Sequence, residues 1–279
     1  MLTNKKFFLP ARRARAFLLG GFMKQYIVDA FTDKIFGGNP AAVCIFEKFP
    51  ADDLMQKIAM ENNLSETAFI VKDGKKFKLR WFTPAVEVDF CGHATLGAAY
   101  VILNLVEPNL KFAEFETLRG KLLVTKNENL LEMDFPAYEV KKVPVTAEMS
   151  AAIGAEVLEA YLSRDLLMVV DSAETVEKLQ PNLEKLAKLD GLTQAVTAAG
   201  KNFDCVSRVF APKVQVPEDP VTGSTHCLIA PYWAEKLGKK KLKARQASKR
   251  GGILYCEILG ERVKISGQAA LFAVSELKI

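Results

Sequence analysis

The sequence predicts an α+β protein made of two similar halves, each a mostly antiparallel sheet wrapped around one central buried helix. Three observations predict it. Short apolar or alternating segments recur between turn residues, as strands do. Two helical segments, His93 to Leu103 and Thr225 to Leu237, are apolar or small on nearly every face and must be enclosed on all sides. Finally, Arg80-x-Phe82-x-Pro84-x-Val86-x-Val88 recurs as Arg208-x-Phe210-x-Pro212-x-Val214-x-Val216, five matches at alternate positions and one offset. At 279 residues, two halves suit the length. The division expected is an extension over 1–22, an N-terminal half over 23–140 and a C-terminal half over 141–279.

The elements follow in order. A strand over Tyr26 to Phe31, a turn at Gly37-Gly38-Asn39-Pro40 and a strand over Ala41 to Phe46 form an opening hairpin. Asp52 to Asn62 has helical spacing, with Asp52 and Asp53 placed to suit the helix dipole. Thr67 to Val71 and Phe77 to Phe82 read as strands joined by Lys72-Asp73-Gly74-Lys75, and the first apolar helix follows. The second half carries helical patterns near Ala147 to Tyr161 and Val176 to Leu189, then strands at Leu192 to Ala198 and Phe203 to Phe210. After the second apolar helix, three or four antiparallel strands run from Lys239 between turns at Gly251-Gly252, Gly260-Glu261 and Gly267.

Composition excludes several classes of function. With 49% apolar and 25% charged residues the chain is globular. Its formal charge of +5 is supplied by Lys5, Lys6, Arg12, Arg13 and Arg15; the remaining 33 basic residues match the 33 acidic ones. The folded part therefore carries no excess charge for nucleic acid. Cys44, Cys91, Cys205, Cys227 and Cys256 are scattered and never spaced C-x-x-C, which fits a reducing cytoplasm without a disulfide framework or zinc knuckle. No apolar run approaches the roughly 20 residues of a membrane span. Ala16 to Phe22 is too short for a signal peptide, and removing residues 1–22 is expected to leave folding intact.

Gly92-His93 and Gly223-Ser224 each lead into an apolar helix, where unpaired amides and the helix dipole form a ready anion site. Facing each other across one cleft, they would hold a carboxylate or an enolate-like oxygen. His93 and His226 are the only histidines, one at each helix start. For His226 the structural reading is kept; for His93 catalytic and structural readings stay open. Glu66 reads by itself as a solvated carboxylate at a strand edge, and Asp219 as a cap on its turn. No metal-ligand cluster, phosphate loop or dinucleotide fingerprint appears, so neither a metal nor another cofactor is expected.

The runs Gly38-Asn39-Pro40-Ala41-Ala42-Val43, Asn63-Leu64-Ser65-Glu66-Thr67-Ala68-Phe69, Cys91-Gly92-His93-Ala94-Thr95-Leu96-Gly97 and Glu218-Asp219-Pro220-Val221-Thr222-Gly223-Ser224 together closely resemble the PhzF phenazine-biosynthesis-like family. The likeness runs from about Met23 to the C-terminus. It implies the diaminopimelate-epimerase-like fold, a homodimer, and an isomerase in which Glu66 shuttles a proton, assisted by His93 and Asp219. It also implies that Asn39 and the backbone at Gly92-His93 and Gly223-Ser224 bind a small anionic substrate.

Related racemases use two cysteines, one before the glycine of each paired helix. Here Cys91 fills the first place and Thr222 the second, and a threonine hydroxyl is too weak an acid for the partner role. The other alternative is a non-catalytic binding protein, with the run Lys239-Lys240-Lys241-Leu242-Lys243-Ala244-Arg245 and Lys249-Arg250 meeting an acidic partner; the alternation of that run suggests instead a solvated strand edge, and the Glu66 motif favours the enzyme.

Overall fold

In a computed structural model, residues 22–279 of the chain are described; expectations about the N-terminal extension lie outside them, save that Phe22 opens the first strand. The chain builds one string of elements twice. The first copy runs β1 (Phe22–Ala30), β2 (Asn39–Phe46), α1 (Asp52–Asn62), β3 (Glu66–Asp73), β4 (Lys76–Phe82), β5 (Glu87–Val88), α2 (Gly92–Val101), β6 (Phe112–Thr117), β7 (Gly120–Asn127), β8 (Leu130–Pro136) and β9 (Lys141–Val143). After α3 (Ala147–Ile153), the second runs β10 (Glu159–Leu162), β11 (Leu166–Val169), α4 (Ala173–Lys178), α5 (Leu183–Leu186), β12 (Gln194–Ala199), β13 (Cys205–Ala211), β14 (Val216–Asp219), α6 (His226–Leu237), β15 (Lys241–Gln246), β16 (Gly252–Leu259), β17 (Arg262–Gly267) and β18 (Ala269–Lys278).

Strand pairing repeats with the order. Most pairs are antiparallel, and the parallel ones fall at the same places in each copy: β2 with β3 and β11 with β12, then β4 with β6 and β13 with β15. A helix lies in each of these parallel connections, because a chain that returns parallel needs a crossover. β8 pairs with β17 and joins the copies. Each copy also ends by lending a strand to the other: β9 pairs with β10, and β18 with β1.

Within α2 every residue except Tyr100 is buried. Gly97 brings it close to the sheet, since a Cβ there would sit 3.6 Å from those of both Ala41 and Val28. The largest core cluster packs Val28, Ala41, Val43, Ala68, Leu79 and Phe115 with α2, and continues through Leu228, Ile229 and Trp233 of α6 into Leu254 and Ile265. Among the described residues, no helix is long and apolar enough to cross a membrane.

Three expectations are corrected. The helix expected over Ala147 to Tyr161 stops at Ile153, where Gly154 turns left-handed at φ 72°, and Glu159–Leu162 is strand. The helix expected over Val176 to Leu189 is two short ones, broken where Pro181 disfavours helical geometry in the residue before it. The repeat holds through Pro84 and Pro212 but not at its last valines. Trp81 pairs with Val88 and Val209 with Asp219, so Asp219, not Val216, stands at the place of Val88. The three extra residues of the second copy, expected around Glu218-Asp219-Pro220, lie earlier, in the short 3-10 turn Pro212–Val214. The shift preserves an ion pair in both copies: Arg80 grips Glu87 at 2.7 Å through Nε and Nη2, and Arg208 grips Glu218 at 2.7 and 2.9 Å.

Gly38 sets the approach to β2. Its φ is +60°, and a Cβ would lie 2.1 Å from the Ala30 carbonyl oxygen. Gly38→Ala should therefore destabilise the protein by at least about 1 kcal/mol and displace Asn39; a thermal unfolding midpoint equal to that of the native protein would refute this account of the turn.

Candidate active site

Glu66, Cys91, Gly92, His93, Asp219, Gly223 and Ser224 line one cleft of about 520 Å³, whereas Asn39, expected to bind substrate, is fully buried behind that lining and reaches it only through its bonds to Asp219 and Val221. Asn39 and Glu66 come together because each opens one of two parallel neighbours, with Ala41 of β2 in register with Glu66 of β3. Cys91, Gly92 and His93 enter at the start of α2, and Asp219, Thr222, Gly223 and Ser224 between β14 and α6. The two glycine-led turns touch: a Cβ on Gly92 would lie 3.5 Å from Gly223 Cα and 3.7 Å from the Ser224 nitrogen. At Gly92 the first amides of α2 have no partner within the helix. At Gly223 the backbone makes a tight turn first, with His226 N–H bonded to the Gly223 carbonyl at 3.1 Å, and regular helix begins only at His226.

His93 stands at the centre. Its Nε2 lies 3.0 Å from Glu66 Oε2, yet the approach is off the N–H direction and neither atom has an aligned hydrogen bond. Its Nδ1 lies 3.2 Å from Asn39 Nδ2 and 3.6 Å from Cys91 Sγ. Asn39 Nδ2 also donates to Asp219 Oδ1 at 2.7 Å and to the Val221 carbonyl at 3.0 Å. Those two acceptors claim both amide hydrogens, which leaves the Cys91 thiol as the group facing Nδ1. A neutral ring accepts from that thiol and a charged ring donates to it, so in either state a proton on Nε2 faces Glu66.

Burial and mutual charge tune these groups. Burial opposes a charged His93, but Cys91 and Glu66 beside the ring outweigh it and hold the imidazole well above its ordinary value. Burial, aided by Glu66, pushes the Cys91 thiol up to about 11. Burial also raises Asp219 to about 6, against the opposing pull of His93, Thr222 and Asn39. His226 is lowered to about 4 by burial; its Nδ1 lies 2.8 Å from the Thr222 carbonyl, and unlike His93 it does not line the cleft, which fits a structural histidine.

Glu66, Cys91 and His93 place donor atoms within 4.8 Å of one another, close enough to raise the question of a metal. Cys91 lies at the Nδ1 edge of the ring and Glu66 at the Nε2 edge, so one ion could not take both through a single ring nitrogen without rearrangement. The geometry suits proton transfer better than coordination.

Two neighbours carry no motif. Gln246, fully buried at the end of β15, accepts from Thr222 N–H and donates to the Asp219 carbonyl, both at 2.8 Å, which fixes the turn that presents Asp219. Arg164, in the turn between β10 and β11, lines the cleft and donates to Ser224 Oγ at 2.9 Å. Both are remote in sequence from what they touch, and only the fold reveals them.

A family model described as phenazine biosynthesis-like protein, PhzC-PhzF, matches residues 28–275. A Pseudomonas aeruginosa protein named an uncharacterized isomerase is 46% identical over 253 residues, covering 90% of this chain and 97% of that relative. The crystal structure of a PhzF family protein from Enterococcus faecalis superposes with a TM-score of 0.91 at 47% identity, over 92% of this chain and 100% of the other. A hydroxyproline epimerase from Agrobacterium vitis shares the fold alone, with a TM-score of 0.61 and 10% identity over 92% and 91% of the two chains.

Asp219 makes a signed prediction. A carboxyl whose folded value is raised binds its proton more tightly in the folded state; its contribution is fully present below about 4 and is lost as pH rises through about 6. Asp219→Asn removes that loss, so relative to the native protein the variant should gain on the order of 3 kcal/mol of stability between pH 4 and pH 7. Turnover should fall further than stability changes. Denaturation midpoints at the two pH values check the first part, and parallel native and variant curves would contradict it.

Proposed function

The chain belongs to the PhzC-PhzF family of phenazine biosynthesis-like proteins, and from that premise we propose that it is an isomerase that moves a proton on a small carboxylate-bearing metabolite, without a cofactor and with Glu66 as general acid/base. One observation carries the reading: Glu66 Oε2 and His93 Nε2, two buried atoms 3.0 Å apart in the floor of the cleft, are left without aligned partners. Such orphaned atoms are costly in a folded protein and mark a place where a proton or a substrate completes the bonding.

The chemistry follows from that placement. The substrate's carboxylate rests on the free amides at Gly92-His93 and Gly223-Ser224. Glu66 takes a proton from a carbon conjugated with that carboxylate, and the electron pair left on carbon delocalises toward the carboxylate oxygens. The helix-start amides face the growing charge and need no reorganisation to stabilise it. Glu66 then returns its proton to another carbon of the same conjugated system, so the product is an isomer and nothing is oxidised or reduced. His93 steadies the carboxylate through Nε2, while Asp219, held from behind by Asn39, stands in the opposite wall.

The cleft is read as the seam between the halves 23–140 and 141–279. A homodimer in a reducing cytoplasm, acting on a small anion and not on nucleic acid, completes the proposal.

A two-thiol racemase is the alternative to discriminate. Its second thiol would have to stand at Thr222, whose hydroxyl is already committed to Asp219 Oδ2 at 2.5 Å. In heavy water the native protein should place deuterium on an unsaturated carboxylic acid drawn from a panel of such acids, and Glu66→Gln should slow that exchange by about 100-fold or more. Cys91→Ser should keep most of it. Exchange abolished in Cys91→Ser and retained in Glu66→Gln would overturn the mechanism. Exhaustive chelation should leave exchange unchanged, as nuclear magnetic resonance of the product would record.

A further inference from the structure

We infer that Arg164 is the carboxylate anchor of the cleft: it holds a small, largely apolar monocarboxylate by its acid group at the Ser224 end and so sets which face of the molecule meets Glu66. The inference rests on the isomerase reading for what happens after binding, but not for the binding itself.

The charges in the cleft are arranged unevenly. Glu66 and Asp219 both line it, and Arg164 is the one lysine or arginine among its described lining residues. An anion entering past two acidic groups needs a cation to offset their repulsion, and the guanidinium supplies it at one end only. Arg164 Nη2 bonds Ser224 Oγ at 2.9 Å, and Ser224, directly after Gly223, stands in the second copy where His93 stands in the first. Glu66 attends His93 on one side of the paired turns, and Arg164 attends Ser224 on the other.

The guanidinium is held in advance. Its Nε and Nη2 reach Asp165 at 3.1 and 2.6 Å, and its Cζ lies 5.2 Å from the Tyr138 ring centroid. Asp165 is fully buried and is itself fixed by Thr225 Oγ1 at 2.9 Å and Thr193 N–H at 3.3 Å. A planar fork fixed before the ligand arrives loses little freedom on binding, and Nη1 takes part in none of these bonds. Neutralising Asp165 would not by itself require the side chain to reach the cleft, yet it keeps 30% of its surface exposed there. Leu64, Val88, Phe90, Leu192 and Val214 supply apolar wall for the rest of the ligand.

The test uses the full chain and two probes of one shape, sorbate and its neutral amide, followed by ligand-observed magnetic resonance. The native protein should bind sorbate and discriminate against the amide. Arg164→Met should weaken sorbate by about 30-fold or more and abolish the discrimination, while Arg164→Lys should recover part of both. Arg164→Met with Asp165→Asn, which leaves no buried carboxylate unpaired, should behave as the single variant does and keeps the test valid if that variant folds poorly. Sorbate affinity unchanged in the folded double variant, equal native affinity for the two probes, or no native binding of sorbate would each overturn the anchor. Arginine-dependent binding without any proton exchange would support the anchor and count against the isomerase reading. Exchange lost in Glu66→Gln with sorbate binding indifferent to Arg164 would do the reverse.

Discussion

One buried side-chain amide ties the cleft together. Asn39 opens β2 in the first copy and spends its hydrogens on Asp219 and Val221 of the second, 180 and 182 residues away. It is fully buried, so either bond left unmade would cost about 1 to 3 kcal/mol. No smaller or charged side chain does the same work: a carboxylate would repel Asp219, and an apolar residue would leave that carboxylate, among the described residues, with the Thr222 hydroxyl as its one side-chain donor. The same nitrogen lies in contact with His93 Nδ1 at 3.2 Å, so the bridge between the copies also packs against the ring. Gly38 before it and Gln246 behind Asp219 hold the two ends of the bridge.

The duplicated frame carries unlike chemistry on its two sides. Phe82 pairs with Thr67 and its counterpart Phe210 with Gln194, so Glu66 is matched by Thr193. Counting from the paired glycines, Cys91 is matched by Thr222, His93 by Ser224 and Thr95 by His226. The last match explains His226: Thr95 Oγ1 bonds the Cys91 carbonyl and His226 Nδ1 meets the Thr222 carbonyl, the same backbone acceptor in each copy. What both copies keep is the anion cradle and the arginine–glutamate brace behind it. What only the first keeps is the titratable set Glu66, Cys91 and His93, matched in the second by the hydroxyls of Thr193, Thr222 and Ser224. Symmetric two-base chemistry has no second base to use at the matched positions.

The parts of this arrangement that the sequence makes legible are those written locally. Glycine-led helix starts, the apolar faces of α2 and α6, and the early helix over Asp52 to Asn62 all declare themselves in spacing, and the repeat brings the glycines into one cleft. The short strands Glu159–Leu162 and Leu166–Val169 do not, because four residues, three or all of them apolar, satisfy a helix or a strand equally. Nor does the exchange of β9 and β18 between copies: β18 reaches β1 from the far end of the chain, and β9 is a three-residue strand too short to show a period. Arg164 and Gln246 were hidden for the same reason, since their importance lies in contacts 60 and 24 residues away. The valine matches at Val214 and Val216 misled because alternation survives a three-residue insertion in the eye of a pattern but not in strand register.

Cys91 shows how the frame redirects a reactive group. A thiol that served as base would have to lose its proton readily, yet burial and the nearby Glu66 hold this one at about 11, and no described cation but His93 opposes them. Its proton is therefore retained near neutrality, and the sulfur, 3.6 Å from His93 Nδ1, accepts from the charged ring. With Nδ1 engaged there, Nε2 also carries a proton, 3.0 Å from Glu66 Oε2 but out of line with it. With Thr222 bound to Asp219 in the matching position, the second copy has no thiol to complete a pair, and the first copy's thiol acts by orienting the histidine. Proton movement then falls to the carboxylate that lines the cleft, which is why Glu66, at the edge of a strand and unremarkable in the sequence by itself, becomes the group on which the proposed chemistry turns.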